Sequence, residues 1–416
     1  MECIRAYKFA AYPDEKRRKG IDSMLVLAQR LYNKILEKAI EGYKKEGNSK
    51  VDLPTLNRYM NEAIEENKEF SGLYSQTRQD VFIRLYRAFQ SFFRRVYESR
   101  HGGKAKPGFP RFKSIDRYKS LKYPQNNGSF SLEKVRKTSV LSVSGIGRMR
   151  IEMNRQIIGD IKTLAIKKEA GRYYAIFTAI MKIEPLKIKD TNPIGIDMGL
   201  NSFIAMSDGT KIKKPKFARK NAKHIAKWQR IIARRHKGSK RRQCAKLMLQ
   251  RKWEYVTNQS NDFAHKLSDK LVNSGCTSFA VEKLNINNMV KNHNLAHAIY
   301  NASWNRFINM LSYKAESAGM RVIKVDPRDT TQECSRCHYI KTGSERLTLK
   351  DRIYHCNVCG LTMDRDENAS INIRDKSRAG PARSHARENS IRPQLEAVVD
   401  EPRTYPASAG EASTFR

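Results

Sequence analysis

Residues 1–12 alternate loosely between apolar and polar and predict a single strand, after which the rhythm changes. From Asp14 to Gly47 the spacing is helical, with Met24, Leu27, Ala28, Leu31 and Ile35 on one face. A second long helix is predicted over 76–100, where Phe82, Leu85, Tyr86, Phe89, Phe93 and Val96 recur at helical intervals. Arg84, Arg87, Arg94 and Arg95 extend the positive charge beside that stripe, and Arg84 and Arg87 are taken as candidate nucleic-acid contacts. The aromatics are read as helix core in preference to a base-stacking surface. The stretch from His101 to Lys113, rich in Gly and containing two Pro, breaks the pattern. From about 128 to 188 the chain is β-like, and Leu164–Ile166 and Tyr173–Phe177 flank a Lys168–Gly171 turn as a hairpin. A helical block therefore interrupts a β-domain between its first strand and the rest.

Lys187 to Pro193 reads as a linker, and Ile194-Gly195-Ile196-Asp197-Met198-Gly199-Leu200 opens a new domain. Between Lys211 and Lys252 stand 18 Lys or Arg and no Asp or Glu, on two predicted helices broken at Gly238-Ser239. A like-charged run is often only a solvated face. One of this length repels itself unless phosphates neutralise it, which favours contact with nucleic acid through residues such as Lys223, Lys227, Arg230 and Arg234. Residues 377–416 lose apolar periodicity, gain Pro, Ala, Ser and Gly, and are read as a disordered tail.

Composition sharpens this outline. The 416 residues exceed one core, and 81 Lys and Arg against 42 Asp and Glu give a formal net charge of +39. That excess matches a partner with many phosphates, nucleic acid first and a membrane surface second. No stretch approaches a membrane span, and Met1-Glu2-Cys3-Ile4-Arg5 runs straight into charge, so a cytoplasmic protein is expected. Of seven cysteines, four form two Cys-x-x-Cys pairs, which suits a reduced compartment and one metal site better than a disulfide framework.

The chemistry is carried by three carboxylates. Asp197 ends an apolar strand, with Gly199 permitting a tight turn into Phe203–Met206, and Glu282 ends the apolar Thr277–Val281. Each alone is a weak signal, since an Asp capping a turn or a solvent-facing Glu is ordinary. Two acids ending buried strands of one domain are more informative. In Asp364–Ile373 the acids Asp364 and Asp366 cannot share a helix face. Asp364, with Glu367 three residues on, reads as the helix cap, leaving Asp366 to enter the site. Three hard oxygen ligands fit two Mg²⁺ ions set for phosphodiester hydrolysis, with a 5′-phosphate and a 3′-hydroxyl expected. Cys334, Cys337, Cys356 and Cys359 match a structural Zn²⁺. His338 and His355 adjoin these ligands without an obligatory role. Arg336 within the first pair and Lys341, Arg346, Lys350 and Arg352 between the pairs suggest that the ribbon touches nucleic acid, or that it props the third acid; the two roles are compatible.

With these residues in place the chain resembles the TnpB family, insertion-sequence-encoded relatives of type V CRISPR effector nucleases. The resemblance rests on Arg30–Lys34, Gly108–Phe112, Gly195–Gly199, Val281–Leu284 with Met289, Gln332–Cys337, Cys356–Gly360 and Asp364–Ile373, in family order over most of residues 1–376. It implies a multidomain α+β protein: a wedge β-barrel (1–12 and 118–190) with an inserted helical recognition domain (13–117), then a RuvC-like RNase H fold (191–326 and 362–376) carrying a zinc ribbon (327–361), and a tail (377–416). It also implies cleavage of double-stranded DNA guided by an RNA from the transposon end, one protein per guide, beside a short adjacent motif. In the family that motif is read between the recognition helices and the wedge, which nominates Gln79, Gln125 and Asn126. The family often has Gly where His338 stands. A compact CRISPR effector and a non-cleaving guided repressor are the alternatives, the second disfavoured by retention of all three acids. A strand-transfer transposase fits the acids but not a thiol set placed before the third.

Overall fold

The computed structural model describes residues 2–45, 51–103, 106–135, 138–182, 193–199, 201–284, 289, 303–348 and 351–378, in two compact units that divide after Lys182. Most of the predicted linker, Lys350 and the predicted tail beyond Arg378 lie outside the described residues.

The first unit begins with β1 (Glu2–Tyr12) and continues through three helices, α1 (Glu15–Lys45), α2 (Leu53–Glu66) and α3 (Ser75–Arg100). Strands β2 (Ser120–Tyr123), β3 (Phe130–Val135), β4 (Thr138–Val143), β5 (Gly147–Glu152), β6 (Asp160–Glu169) and β7 (Arg172–Lys182) then complete one antiparallel sheet in the order β2-β6-β7-β1-β5-β4-β3. β1 lies at its centre although it precedes the helices in sequence, so the helical block is an insertion into the sheet. Among the described residues β2 and β3 are the two edges of the sheet, which is a half-barrel. The β6–β7 hairpin turns on Ala170 (φ 47°) and Gly171 (φ 75°), both left-handed as a two-residue turn of matching twist requires.

The buried face of α1 is Ile21, Leu25, Ala28, Leu31, Tyr32 and Ile35; the expected Met24 and Leu27 border it. The sequence reading contains no counterpart of α2, whose short stripe of Leu56, Tyr59, Met60 and Ala63 is enclosed by polar residues. Asp52 caps it through the amide of Thr55 at 2.9 Å. The aromatics of α3 serve as core: Phe89 and Phe92 are buried, and Phe109 from the following loop stacks on Phe92 with centroids 4.6 Å apart. Asn33 meets the same loop with both ends of its amide, donating to the Lys113 carbonyl (3.0 Å) and accepting from the Lys113 amide (2.8 Å). The motif at 30–34 thereby holds the residue that directly follows the motif at 108–112.

In the second unit β8 (Pro193–Asp197), β9 (Ile204–Met206), β10 (Lys211–Ile212), β11 (Ser278–Glu282) and β12 (Arg321–Val325) form a sheet in the order β10-β9-β8-β11-β12. β10, β9 and β8 pair antiparallel, and β11 and β12 add to β8 in parallel. The basic run occupies α4 (Phe217–Lys220), α5 (Ala222–Arg234) and the start of α6 (Lys240–Val272). Gly238, at φ 88°, and the Ser239 hydroxyl, which caps α6 through the Arg242 amide at 3.2 Å, separate the last two. α6 and α7 (Trp304–Ser317) cover the sheet with Leu267, Leu271, Phe307 and Leu311 against Ile196, Phe279 and Val281. The hairpin of β13 (Ile353–His355) and β14 (Thr362–Asp364) leads directly into α8 (Arg365–Arg378). No helix among the described residues is long and apolar enough to cross a membrane.

Candidate active site and metal centre

Every residue of β8 and β11 is buried, as expected of central strands with both faces covered. The two strands are parallel, with Val281 opposite Ile196, so Asp197 and Glu282 emerge side by side at the same edge of the sheet. That carboxyl edge is where open α/β sheets place ligands. α8 lies against β8 so closely that a Cβ on Gly195 would come 1.9 Å from the Ser370 carbonyl oxygen. This contact brings the first turn of α8, and with it Asp366, beside the strand end. Gly199 is needed for a similar reason: a Cβ there would meet the Ser202 carbonyl at 2.8 Å and lie 3.9 Å from an Asp366 carboxylate oxygen.

Three acids thus converge. Burial, then the neighbouring Glu282 and Asp366 charges, push the Asp197 carboxyl from 3.8 to about 8, with Arg365 opposing. Glu282 is also raised, chiefly by burial, against the hydrogen bond it accepts from the Thr330 hydroxyl at 2.5 Å. Asp364 and Asp366 take different places, as the helix-cap reading expects. Asp364 Oδ1 accepts from the amides of Asp366 (2.9 Å) and Glu367 (3.3 Å), and its Oδ2 pairs with Lys211 at 2.6 Å. Burial would raise Asp364, but Lys211 and those amides hold it below the usual carboxylate range. Asp197 and Glu282, whose burial raises their affinity for protons, form with the neighbouring Asp366 a donor set suited to hard divalent cations.

The four cysteines gather as a set, with all Sγ atoms within 4.8 Å of one another, the only group among the described residues to do so. The three carboxylates are spread wider, which a pair of ions roughly 3.5–4 Å apart accommodates. Cys334 and Cys359 are 3.6 Å apart and Cys337 and Cys356 3.5 Å, close to the roughly 3.8 Å edge of a tetrahedron with Zn–S bonds of about 2.3 Å. Each pair closes a like knuckle: the His338 amide donates to the Cys334 carbonyl and the Gly360 amide to the Cys356 carbonyl, both at 3.0 Å. His338 (φ 59°) and Gly360 (φ 70°) occupy the same left-handed position. His338 turns to Glu333 and His355 to Thr362, so neither ring enters the thiol set. Of the ribbon cations, Lys341 is buried over the Tyr354 ring and Arg346 pairs with Asp329, while Arg336 is exposed.

The other predicted contacts divide. Lys223, Lys227, Arg230 and Arg234 are all exposed on one face of α5, with no acidic partner among the described residues. Arg84, by contrast, is held inside the first unit: its Nε donates to the buried Asp80 at 2.5 Å, its Nη1 to Ser120 at 3.1 Å, and its guanidinium lies over Tyr118. Arg87 is exposed. Gln79 is exposed one turn beyond Gln76, and Gln125 and Asn126 are exposed on the β2–β3 loop. Gln76 joins these places, accepting from the Gln125 amide at 3.3 Å and donating to Asn127.

Sequence reasoning missed the groups that hold the acids. Asn368 and Asn372, one turn apart on α8, are buried and donate to the Glu333 carbonyl at 2.7 Å each, and Asn372 donates also to the Thr330 carbonyl at 2.9 Å. The available signal was an asparagine pair at helical spacing directly after Asp366.

Residues 178–293 match the family model described as a probable transposase, and residues 304–373 match the Cas12f1-like TNB domain. A Streptomyces pristinaespiralis protein named putative RNA-guided DNA endonuclease is 29% identical over 404 residues, covering 94% of this chain and 93% of that protein. The TnpB-like protein L770 of Acanthamoeba polyphaga mimivirus is 27% identical over 239 residues, covering 54% of this chain and 45% of that protein. Among solved structures, the Cas12f1 chain of a Cas12f1–sgRNA–target DNA complex shares the fold with a TM-score of 0.59 at 12% identity, over 89% of this chain and 98% of that one. Two family models over parts of the chain and a near full-length relative, read with the TnpB-like viral protein, bear out the resemblance of this chain to the TnpB family.

Proposed function

We propose that this protein is an RNA-guided DNA endonuclease of a transposable element, hydrolysing phosphodiester bonds at Asp197, Glu282 and Asp366. The observation that carries the proposal is the meeting of these acids at the carboxyl edge of β8 and β11, buried enough to raise Asp197 to about 8. The sheet order β10-β9-β8-β11-β12, three antiparallel strands followed by two parallel ones, supports a RuvC-like RNase H fold for residues 191–326 and 362–376, with 327–361 as its zinc ribbon. The half-barrel and its inserted helices support the wedge (1–12, 118–190) and recognition (13–117) reading.

Two Mg²⁺ ions held by the three carboxylates would supply an activated water and stabilise the leaving oxygen. The chain's own contribution is to seat the acids in a dry pocket and aim them from two strands and a helix. One Zn²⁺ held by the four thiolates would fix the ribbon against α8. A guide–target duplex of roughly 20 base pairs carries about 40 phosphates, so a charge of +39 is proportionate, and the free face of α5 offers Lys223, Lys227, Arg230 and Arg234 to that backbone. Gln79, Gln125 and Asn126, brought to neighbouring places by Gln76, are proposed to read the adjacent motif.

The test is to co-express the chain with its downstream flanking transcript. The purified complex is then incubated with Mg²⁺ and a plasmid library carrying the guide-matched target beside randomised bases, with Asp197→Ala in parallel. Motif-restricted cutting by the wild type alone is expected. Motif-restricted binding without cutting would favour the repressor reading, and neither outcome from a verified RNA complex would sink the proposal. Dependence on a CRISPR-array transcript instead of the flanking one would favour the compact effector.

A further inference from the structure

Resting on the nuclease reading, we infer that Thr330 is the positioning residue of Glu282, and that α8 holds Thr330 in place from the same helix that supplies Asp366. Thr330 is fully buried, and its hydroxyl lies 2.5 Å from Glu282 Oε1 and 3.2 Å from the Pro327 carbonyl. A hydroxyl has one proton to donate. The carboxylate receives it, because a charge-assisted bond is the shorter and stronger of the two. Glu282 Oε1 is then engaged, while Oε2 takes no hydrogen bond among the described residues and is the oxygen left for the site.

The backbone around Thr330 is built to aim it. Asp329 adopts the left-handed conformation (φ 55°), and its carbonyl accepts from the amides of Gln332 and Glu333 at 2.9 Å each, closing a tight turn. Such a conformation is unfavourable for a residue with a side chain and persists where the surroundings fix it. Those surroundings are the two asparagines. Asn372 gives both amide hydrogens to the segment, to the Thr330 and Glu333 carbonyls, while its own Oδ1 is buried without a partner among the described residues. Asn368 donates to the Glu333 carbonyl and accepts from the Ser335 amide at 3.0 Å. α8 thus leaves one buried oxygen unpaired in order to hold two carbonyls. In doing so it fixes the spacing between Asp366, on its own first turn, and the carboxylate that Thr330 steers.

The proposal is tested with Thr330→Val, which keeps the shape and removes the hydroxyl, and with Thr330→Ser and Thr330→Ala, which differ from each other only in that hydroxyl. Equilibrium Mn²⁺ binding to the protein without nucleic acid is read by electron paramagnetic resonance, alongside single-turnover cleavage, target binding and zinc content. Removing an outer hydrogen-bond partner of a metal ligand typically lowers metal affinity or activity about 10–100-fold. Val and Ala are expected to show losses of that size in both Mn²⁺ affinity and cleavage, with target binding and zinc content unchanged, and Ser to recover most of both. Should Thr330→Val fail to fold, the Ser–Ala difference decides alone. Wild-type Mn²⁺ affinity and rate in Thr330→Val, or Ser no better than Ala, would overturn the inference. Absence of cleavage by the wild type would defeat the nuclease reading instead, and the Mn²⁺ measurement would still judge Thr330.

Discussion

The two units are held together by different means. The first has one continuous apolar core running from β1 through α1, α2 and α3 to the sheet, with a handful of buried polar groups such as Gln76 and Asp80. The second divides its apolar residues among smaller clusters and buries a denser polar set, including Asp197, Glu282, Thr330, Gln332, Asn368, Ser370 and Asn372. Apolar packing is non-directional and tolerates repacking, whereas a buried polar network holds only while each member is satisfied. The first unit therefore gains stability from area. The second gives up some of that security to fix where its charges point.

Substitutions should separate these two modes. Phe89→Ala, at the centre of the first core, is expected to cost about 3–5 kcal/mol in urea unfolding while leaving Mn²⁺ binding by the folded protein unchanged. Gly195→Ala in the second unit should cost less stability, about 1–3 kcal/mol, yet lower cleavage on the order of a hundredfold. Its new methyl cannot coexist with the Ser370 carbonyl unless α8 and Asp366 move. Equal effects of the two substitutions on Mn²⁺ binding would erase the distinction.

A smaller effect sharpens the electrostatic side. In protein stripped of divalent ions, Asp197 keeps its proton to about pH 8 when folded, whereas the unfolded chain releases it near 3.8. Between those values the folded state holds the extra proton, so stability is greatest below the lower one and falls as pH rises toward about 8. Asp197→Asn has no such proton. The variant should match the wild type near pH 4 and exceed it at pH 8, by on the order of a few kcal/mol, in urea midpoints measured across that range. Parallel pH slopes in the two proteins would contradict the burial argument.

The smallest effect concerns the two knuckles. His338 stands at a left-handed position where Gly360 stands in the other, and a side chain there costs about 1–2 kcal/mol. His338→Gly removes that cost together with the 3.0 Å contact to Glu333. A net gain below about 1 kcal/mol is expected, seen as slower zinc loss to a chelator. Faster loss would mean that the Glu333 contact outweighs the backbone conformation.

Much of this was legible in the chain because it is local. Strand ends that carry acids, the Cys-x-x-Cys pairs, the helix-cap pattern of Asp364 and the break at Gly238-Ser239 are set by neighbours a few residues away, and the structure places them as the local chemistry dictates. Arg84 illustrates the limit: its place beside an aromatic stripe suggested phosphate contact, but Asp80 and Ser120 claim it, and Ser120 lies on a strand beyond the next loop.

By itself the sequence determined which residue types could do the chemistry, the charge that suits a polyphosphate partner, and the insertion of a helical block between the first strand and the rest of a β-domain. Only the tertiary structure decided that Gly195 is where α8 meets β8, that Thr330 faces Glu282 across 48 positions of sequence, and that Asn368 and Asn372 tie the ribbon to the helix of Asp366. The physical reason is that periodicity and capping act over a turn or two of chain, whereas a hydrogen bond between remote segments leaves no trace in either until the chain has folded.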